Sequence, residues 1–262
     1  MSLSNPLIYT FSLERERIDL AFRFSTLVSR EWITPSYVRV RVQGDDLVGF
    51  GAHSGHNDHI RIFIPEGTPV TREEMREFPS REFTPLYWGE NWLDLEFAVH
   101  GDEGVAGVWA ATAPLGSMLG VGGPRGTARI EGTPDSWFLV GDETAVPQIR
   151  RYADLIPTGA NARIIVEVSD ADHEIPIDSP VEIEYVHRNG ALPTSALIAY
   201  LDGISAAERP TGDVFVFIAA EQSVVKTGRA LAIDRWGLDP ERMVIKGFWK
   251  GDESGSSYHA PH

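Results

Sequence analysis

A chain of 262 residues, 42% hydrophobic and without cysteine, has room for two ordinary globular domains and excludes disulfides, zinc ribbons, thiolate iron–sulfur clusters and thiol nucleophiles. Its formal net charge of -15 sets it against nucleic-acid backbones and anionic lipid, so an anionic ligand must be held by local Arg and Lys clusters. The start of the chain has no signal-peptide core and no run approaches the roughly 20 apolar residues of a membrane span, so a cytoplasmic protein without membrane insertion is expected.

Residues 1–20 are polar and charged and read as an N-terminal extension. Strand-like chain follows at 22–31. Residues 37–44 then alternate apolar and polar with the period of a half-buried antiparallel strand. The loop His53-Ser54-Gly55-His56-Asn57-Asp58-His59 concentrates three His and one Asp, a set that could ligate a metal. It lacks the i, i+4 helical pair of a zinc-protease motif, and its Gly, Asn and Asp content says loop, so no metal site is assigned. In 59–64, Ile60, Ile62 and Ile64 face the core, while His59, Arg61 and Phe63 face the other way.

Residues 81–87 and 92–100 supply further strands. Arg81 and Phe83 share one face, with Thr84 following, and a cationic fork beside a flat ring suits a ligand with both phosphate and an extended ring system. Residues 103–115 form a short Ala-rich helix with a Gly-rich start at Gly101, Gly104 and Gly107, whose open N–H groups suit a phosphate. A sixth strand lies at 126–131. Short strands between Gly, Pro and Asp turns predict a small antiparallel barrel.

The character changes at 133–136. Strands at 137–141, 162–168, 181–186, 213–220 and 243–249 alternate with helices at 148–155, 194–201 and 222–236. Apolar strands alternating with helices predict a parallel sheet covered on both faces. The fold class is therefore a β barrel plus α/β: an antiparallel six-stranded barrel followed by a parallel-sheet domain. The domains are an extension 1–20, a barrel 21–133, an α/β domain 137–251 and a tail 252–262. The turn Gly141-Asp142-Glu143-Thr144-Ala145 follows the first parallel strand and is N-capped by Thr144 or Asp142, with Pro147 in the first turn of the next helix.

Several segments together resemble the siderophore-interacting proteins, flavin-dependent ferric-siderophore reductases of the ferredoxin reductase superfamily. Arg81-Glu82-Phe83-Thr84 is similar to their R-x-Y-T motif, with Phe for Tyr. His100-Gly101 and Gly104-Val105-Ala106-Gly107-Val108-Trp109-Ala110 are similar to their H-G and G-P-A-S-x-W-A segment, with Gly107 for Ser. Gly141-Asp142-Glu143-Thr144-Ala145-Val146-Pro147 is similar to their G-D-E-T-A-x-P turn. His187-Arg188, Ala219-Ala220-Glu221 and Gly247-Phe248-Trp249-Lys250-Gly251 resemble their H-R, A-G-E and G-Y-W-[KR]-x-G signatures, with Ala220 for Gly and Phe248 for Tyr.

The resemblance implies FAD in the barrel domain and NAD(P)H on the α/β domain, with a ferric siderophore as substrate and iron released by reduction. The flavin carries the chemistry and no side chain is assigned as catalytic. The cofactor-binding residues implied are Arg81, Phe83, Thr84, His100, Gly104, Gly107, Val108, Trp109, Asp142, Thr144 and Ala145. Gly141, Glu143, Asp170, Arg188 and Glu221 would bind the nicotinamide dinucleotide. An acid at Asp170 favours an unphosphorylated ribose and NADH, whereas Arg188 could instead bind a 2′-phosphate and favour NADPH. Arg61 and Lys250 would hold the anionic iron chelate. Ala220, expected to crowd the nicotinamide, and the acidic turn at 142–143 keep open a flavin protein reduced by ferredoxin or free reduced flavin.

Overall fold

The computed structural model describes residues 9–69, 71–99 and 104–251, and the backbone of 257–259. The first half contains β1 (Phe11–Arg17), β2 (Phe22–Thr34), β3 (Tyr37–Gln43), β4 (Ile60–Phe63), β5 (Ser80–Phe83), β6 (Tyr87–Trp88), β7 (Trp92–Ala98), β8 (Met118–Gly122) and β9 (Gly126–Gly132). Two short helices accompany them, α1 (Arg72–Arg76) and α2 (Val105–Thr112). Seven strands form an antiparallel half-barrel in the order β5-β4-β8-β2-β3-β7-β6. The alternation in β3 buries Val38, Val40 and Val42, while Arg39 and Arg41 turn outward to Glu96 and Asp94 of β7.

Two expectations are corrected. The sheet has seven strands rather than six, because β6 and the glycine-rich β8 join it. The strand expected at 126–131 forms as β9 but leaves the barrel sheet and pairs with β1. Part of the expected extension is therefore a strand. Its Phe11 is buried and packs edge-on against Phe215, 6.1 Å between ring centres.

The second half contains β10 (Ser136–Asp142), α3 (Val146–Ala153), β11 (Asn161–Val168), β12 (Ile183–His187), α4 (Ser195–Gly203), β13 (Val214–Glu221), α5 (Val224–Arg229) and β14 (Met243–Gly251). α5 runs on into a π-helical stretch at Ala230–Arg235. The five strands are parallel in the order β12-β11-β10-β13-β14, and β15 (Ser257–His259) adds antiparallel to β14. The residues of β10 are buried throughout, as expected of a strand covered on both faces. α4 and α5 cover one face around Phe138, Val216 and Ile218. On the other, α3 packs with Trp137, Leu139 and Phe217 against Phe11, Tyr37 and Ile130 of the first half, so one apolar core spans the seam.

α3 also carries charge into that seam. Arg150 Nε lies 3.2 Å from Glu96, which also accepts from Tyr37 Oη at 3.0 Å. Arg151 lies 2.7 Å from Asp58 and donates to the Gly55 carbonyl at 2.5 Å. No helix among the described residues is long and apolar enough to cross a membrane.

Candidate functional site

β5 forms the edge of the half-barrel. Ile62 stands opposite Arg81 and Ile60 opposite Phe83, so Arg81 and Phe83 share the face of the apolar lining. The Phe83 ring lies 4.5 Å from Phe97, and Phe97 lies 6.3 Å from Trp109 of α2. This aromatic row ties β5 to α2, and Thr84 is buried at its side. Arg30 of β2 donates to the Ala110 and Ala113 carbonyls and so holds the C-terminal end of α2.

Among the described residues, the other end of α2 has no such partner. Gly104 is its N-cap at φ 77, no described side chain caps it, and Val105 to Val108 of its first turn include no acid. Its open N–H groups and dipole suit an anion. Arg81 donates to the Ser80 carbonyl at 2.9 Å, and among the described residues no carboxylate pairs with it. A Cβ at Gly107 would come 3.2 Å from the Ala98 carbonyl, which keeps α2 close on the end of β7. Trp109 is buried packing, and Val108 precedes it at the half-buried edge. His100 lies outside the described residues.

The second part of the site is the crevice between β10 and β13, where the strand order reverses and open α/β sheets bind their ligands. A Cβ at Gly141 would meet Ala145 Cβ at 2.3 Å and the Ala219 carbonyl at 2.7 Å, so only glycine lets the turn close. Asp142 caps that turn by accepting from the Thr144 N–H at 2.9 Å and from its hydroxyl at 2.5 Å. It also accepts from Trp249 Nε1 at 2.8 Å. Glu221 accepts from the N–H groups of Ser223 and Gly251. Ala220 is fully buried in the core with Ile218 and Val224.

Arg188 is drawn inward, 2.7 Å from Glu143 and 3.7 Å from Glu167. Burial pushes Glu143 up to about 7, with the Arg188 charge opposing the rise. Glu167 in turn caps α4 by accepting from the N–H groups of Thr194 and Leu197.

A third cluster, of which the sequence showed Arg61 and His59 but not Lys246, lies on the outer face of β4 and β5. Arg61 pairs with Glu82 at 3.0 Å, on the face opposite Arg81 and Phe83. Beside them Lys246 of β14 contacts His59 Nε2. Burial lowers His59 to about 3 and Lys246 to about 7. The loop before His59 docks α3: Asp58 takes Arg151, and the His56 carbonyl accepts from Gln148 Nε2 at 2.6 Å. Lys250 sits at the exposed end of β14.

A family model described as siderophore-interacting FAD-binding domain matches residues 26–128, and one described as siderophore-interacting protein matches 134–252. The NADPH-dependent ferric-chelate reductase of Escherichia coli is 30% identical over 255 residues, covering 90% of this chain and 96% of that protein. The chain belongs to the siderophore-interacting protein family. The ferric vibriobactin reductase of Vibrio cholerae is 28% identical over 90% of this chain and 92% of its own length. A siderophore utilization protein from T. fusca superposes with a TM-score of 0.81 at 31% identity, covering 95% of this chain and all of that one.

The family's FAD-binding domain contains the cradle described above. Its donor set fits FAD, since Arg81 and the uncapped start of α2 both call for an anion and the row from Phe83 to Trp109 offers an aromatic wall. Asp142 and Thr144 also close the turn after β10, where Ala145 is buried and Asp142 meets Trp249.

Proposed function

We propose that this chain is a ferric-siderophore reductase that uses FAD and NAD(P)H to reduce chelated Fe(III) to Fe(II). The observation that carries the reading is a cationic, uncapped cradle in the barrel domain, joined across a packed seam to a parallel-sheet crevice. Bound in the cradle, FAD supplies the exchange between paired and single electrons, which no side chain performs.

The chain's own residues bind and orient. Arg81 neutralises the pyrophosphate, with the N–H groups near Gly104, Gly107 and Val108 donating to phosphate. Phe83 and Thr84 line the flavin and its ribityl chain. Gly141 and Glu221 border the nicotinamide crevice. Lys250 holds the anionic chelate from the exposed end of β14, and Arg61 contributes the part of its charge that Glu82 leaves. The working division is a flavin domain at 21–133 and a dinucleotide domain at 137–251.

The net reaction passes two electrons from one dihydronicotinamide to two ferric chelates and releases one proton. Hard oxygen donors hold Fe(III) more tightly than Fe(II), so reduction loosens the metal without cleaving the chelator. We place the reaction in the cytoplasm, where reduced dinucleotide is available.

The test is anaerobic. NADH or NADPH should bleach the yellow FAD-loaded protein, and a ferric siderophore should restore the colour. Protein that takes up no FAD, or that stays yellow with both donors, sinks the reading.

A further inference from the structure

In a parallel nucleotide-binding sheet, the position just past the second strand faces the adenosine ribose. An acid there accepts from the free hydroxyls and repels a 2′-phosphate. In this chain that position is Asp170, two residues beyond β11. Its Oδ1 accepts from the Asp172 N–H at 3.0 Å and from His173 Nδ1 at 2.6 Å, which fixes the carboxylate while 45% of the side chain stays exposed. Donation from His173 also holds the Asp170 carboxyl below the usual carboxylate range, so it is charged at neutral pH.

The surroundings agree in sign. Asp172 and Glu174 follow on the same turn, and His187 at the end of β12 is engaged by Glu174 at 2.9 Å. The cation available from the sequence for a 2′-phosphate, Arg188, is 12% exposed and committed to Glu143 and Glu167. A 2′-phosphate, carrying close to two negative charges, would meet carboxylates at 170, 172 and 174. Among the described residues of 169–174 and 187–188, no side chain offers it an uncommitted cation.

We propose that the α/β domain selects a dinucleotide with an unphosphorylated adenosine ribose, NADH over NADPH, and that Asp170 is the selecting residue. This rests on the reductase reading above and separates the chain from its E. coli relative, whose name specifies NADPH.

The experiment pairs a binding measurement with a redox one. Calorimetry on the full chain with ADP-ribose and with 2′-phospho-ADP-ribose reads the ribose site without electron transfer. The unphosphorylated ligand should bind about tenfold to a hundredfold more tightly, the range of a hydrogen bond to a charged group. Asp170→Asn should narrow that ratio by strengthening the 2′-phospho ligand. Anaerobic bleaching should be faster with NADH. Equal binding, a preference for the phosphorylated ligand, or an unchanged ratio in Asp170→Asn overturns the inference. Faster bleaching by NADPH overturns it too but leaves the reductase reading standing. Failure of both donors with FAD in place overturns both.

Discussion

Arg151, on the first helix of the α/β domain, places its guanidinium 2.7 Å from Asp58 in a loop of the barrel, and both side chains are more than nine-tenths buried. The pair crosses the seam between the antiparallel half-barrel and the parallel-sheet half. Removing one partner strands the other charge away from water. Asp58→Ala or Arg151→Ala should cost about 3–5 kcal/mol in urea unfolding. Burial alone would raise the Asp58 carboxyl, but the Arg151 charge and donation from Ser54 bring it below its ordinary value. Its contribution is therefore complete above about pH 4 and is lost as pH falls further.

Arg81→Ala tests the flavin cradle. Loss of a charge-assisted contact to phosphate should weaken FAD binding by about tenfold to a hundredfold, read by equilibrium fluorescence titration. Wild-type affinity would remove the role given to this residue.

Lys246 supplies a pH signature. Burial lowers it to about 7 in the folded chain. Between that value and roughly pH 10.4, the unfolded chain carries a proton that the folded chain does not. This group therefore makes stability rise with pH through that window and contributes no slope below it. Lys246→Met should melt higher than wild type at pH 7, and the gap should close by pH 10. A gap that is constant across this range would show that Lys246 keeps its ordinary titration.

Arg188→Gln separates a strut from a ligand-binding residue. If Arg188 neutralises buried Glu143 and Glu167, its loss should cost about 3–5 kcal/mol of stability in the ligand-free protein. An unchanged melting temperature with weakened binding of 2′-phospho-ADP-ribose would return Arg188 to the nucleotide site.

The parallel strands were legible because strands buried on both faces read as unbroken apolar runs, as in Phe138-Leu139-Val140 and Val214-Phe215-Val216. β3 and β4 were legible from alternation. β8 was not, because Gly120 and Gly122 dilute its pattern. A Cβ at Gly120 would come 2.7 Å from Met75 and 2.9 Å from Phe22, so tertiary packing demands a residue with poor strand propensity. β1 was hidden by its own charges, since only Phe11 and Leu13 point to the core between Glu and Arg.

In the site, the shared face of Arg81 and Phe83 followed from strand periodicity alone. The fate of Arg188 did not. Its partners lie 45 and 21 residues away in sequence, and no local pattern announces that it is turned inward. The loop at 53–59 likewise showed its side chains but not their use. Its Asp58 and His59 serve the contacts with α3 and β14, which exist only once the two halves have met.

Phe11 bears on how the chain assembles. Phe11 packs against Phe215, which follows it by 204 residues, within a core completed by Trp137 and Tyr152. During synthesis the N-terminal ribbon must wait for more than two hundred residues before its apolar face is covered. Contacts of such long sequence separation form slowly, because loop closure precedes any gain from burial. A fragment beginning at residue 21 would emerge with a ready barrel but leave Phe215 uncovered, and aggregation of the α/β half is the expected fate of that cut.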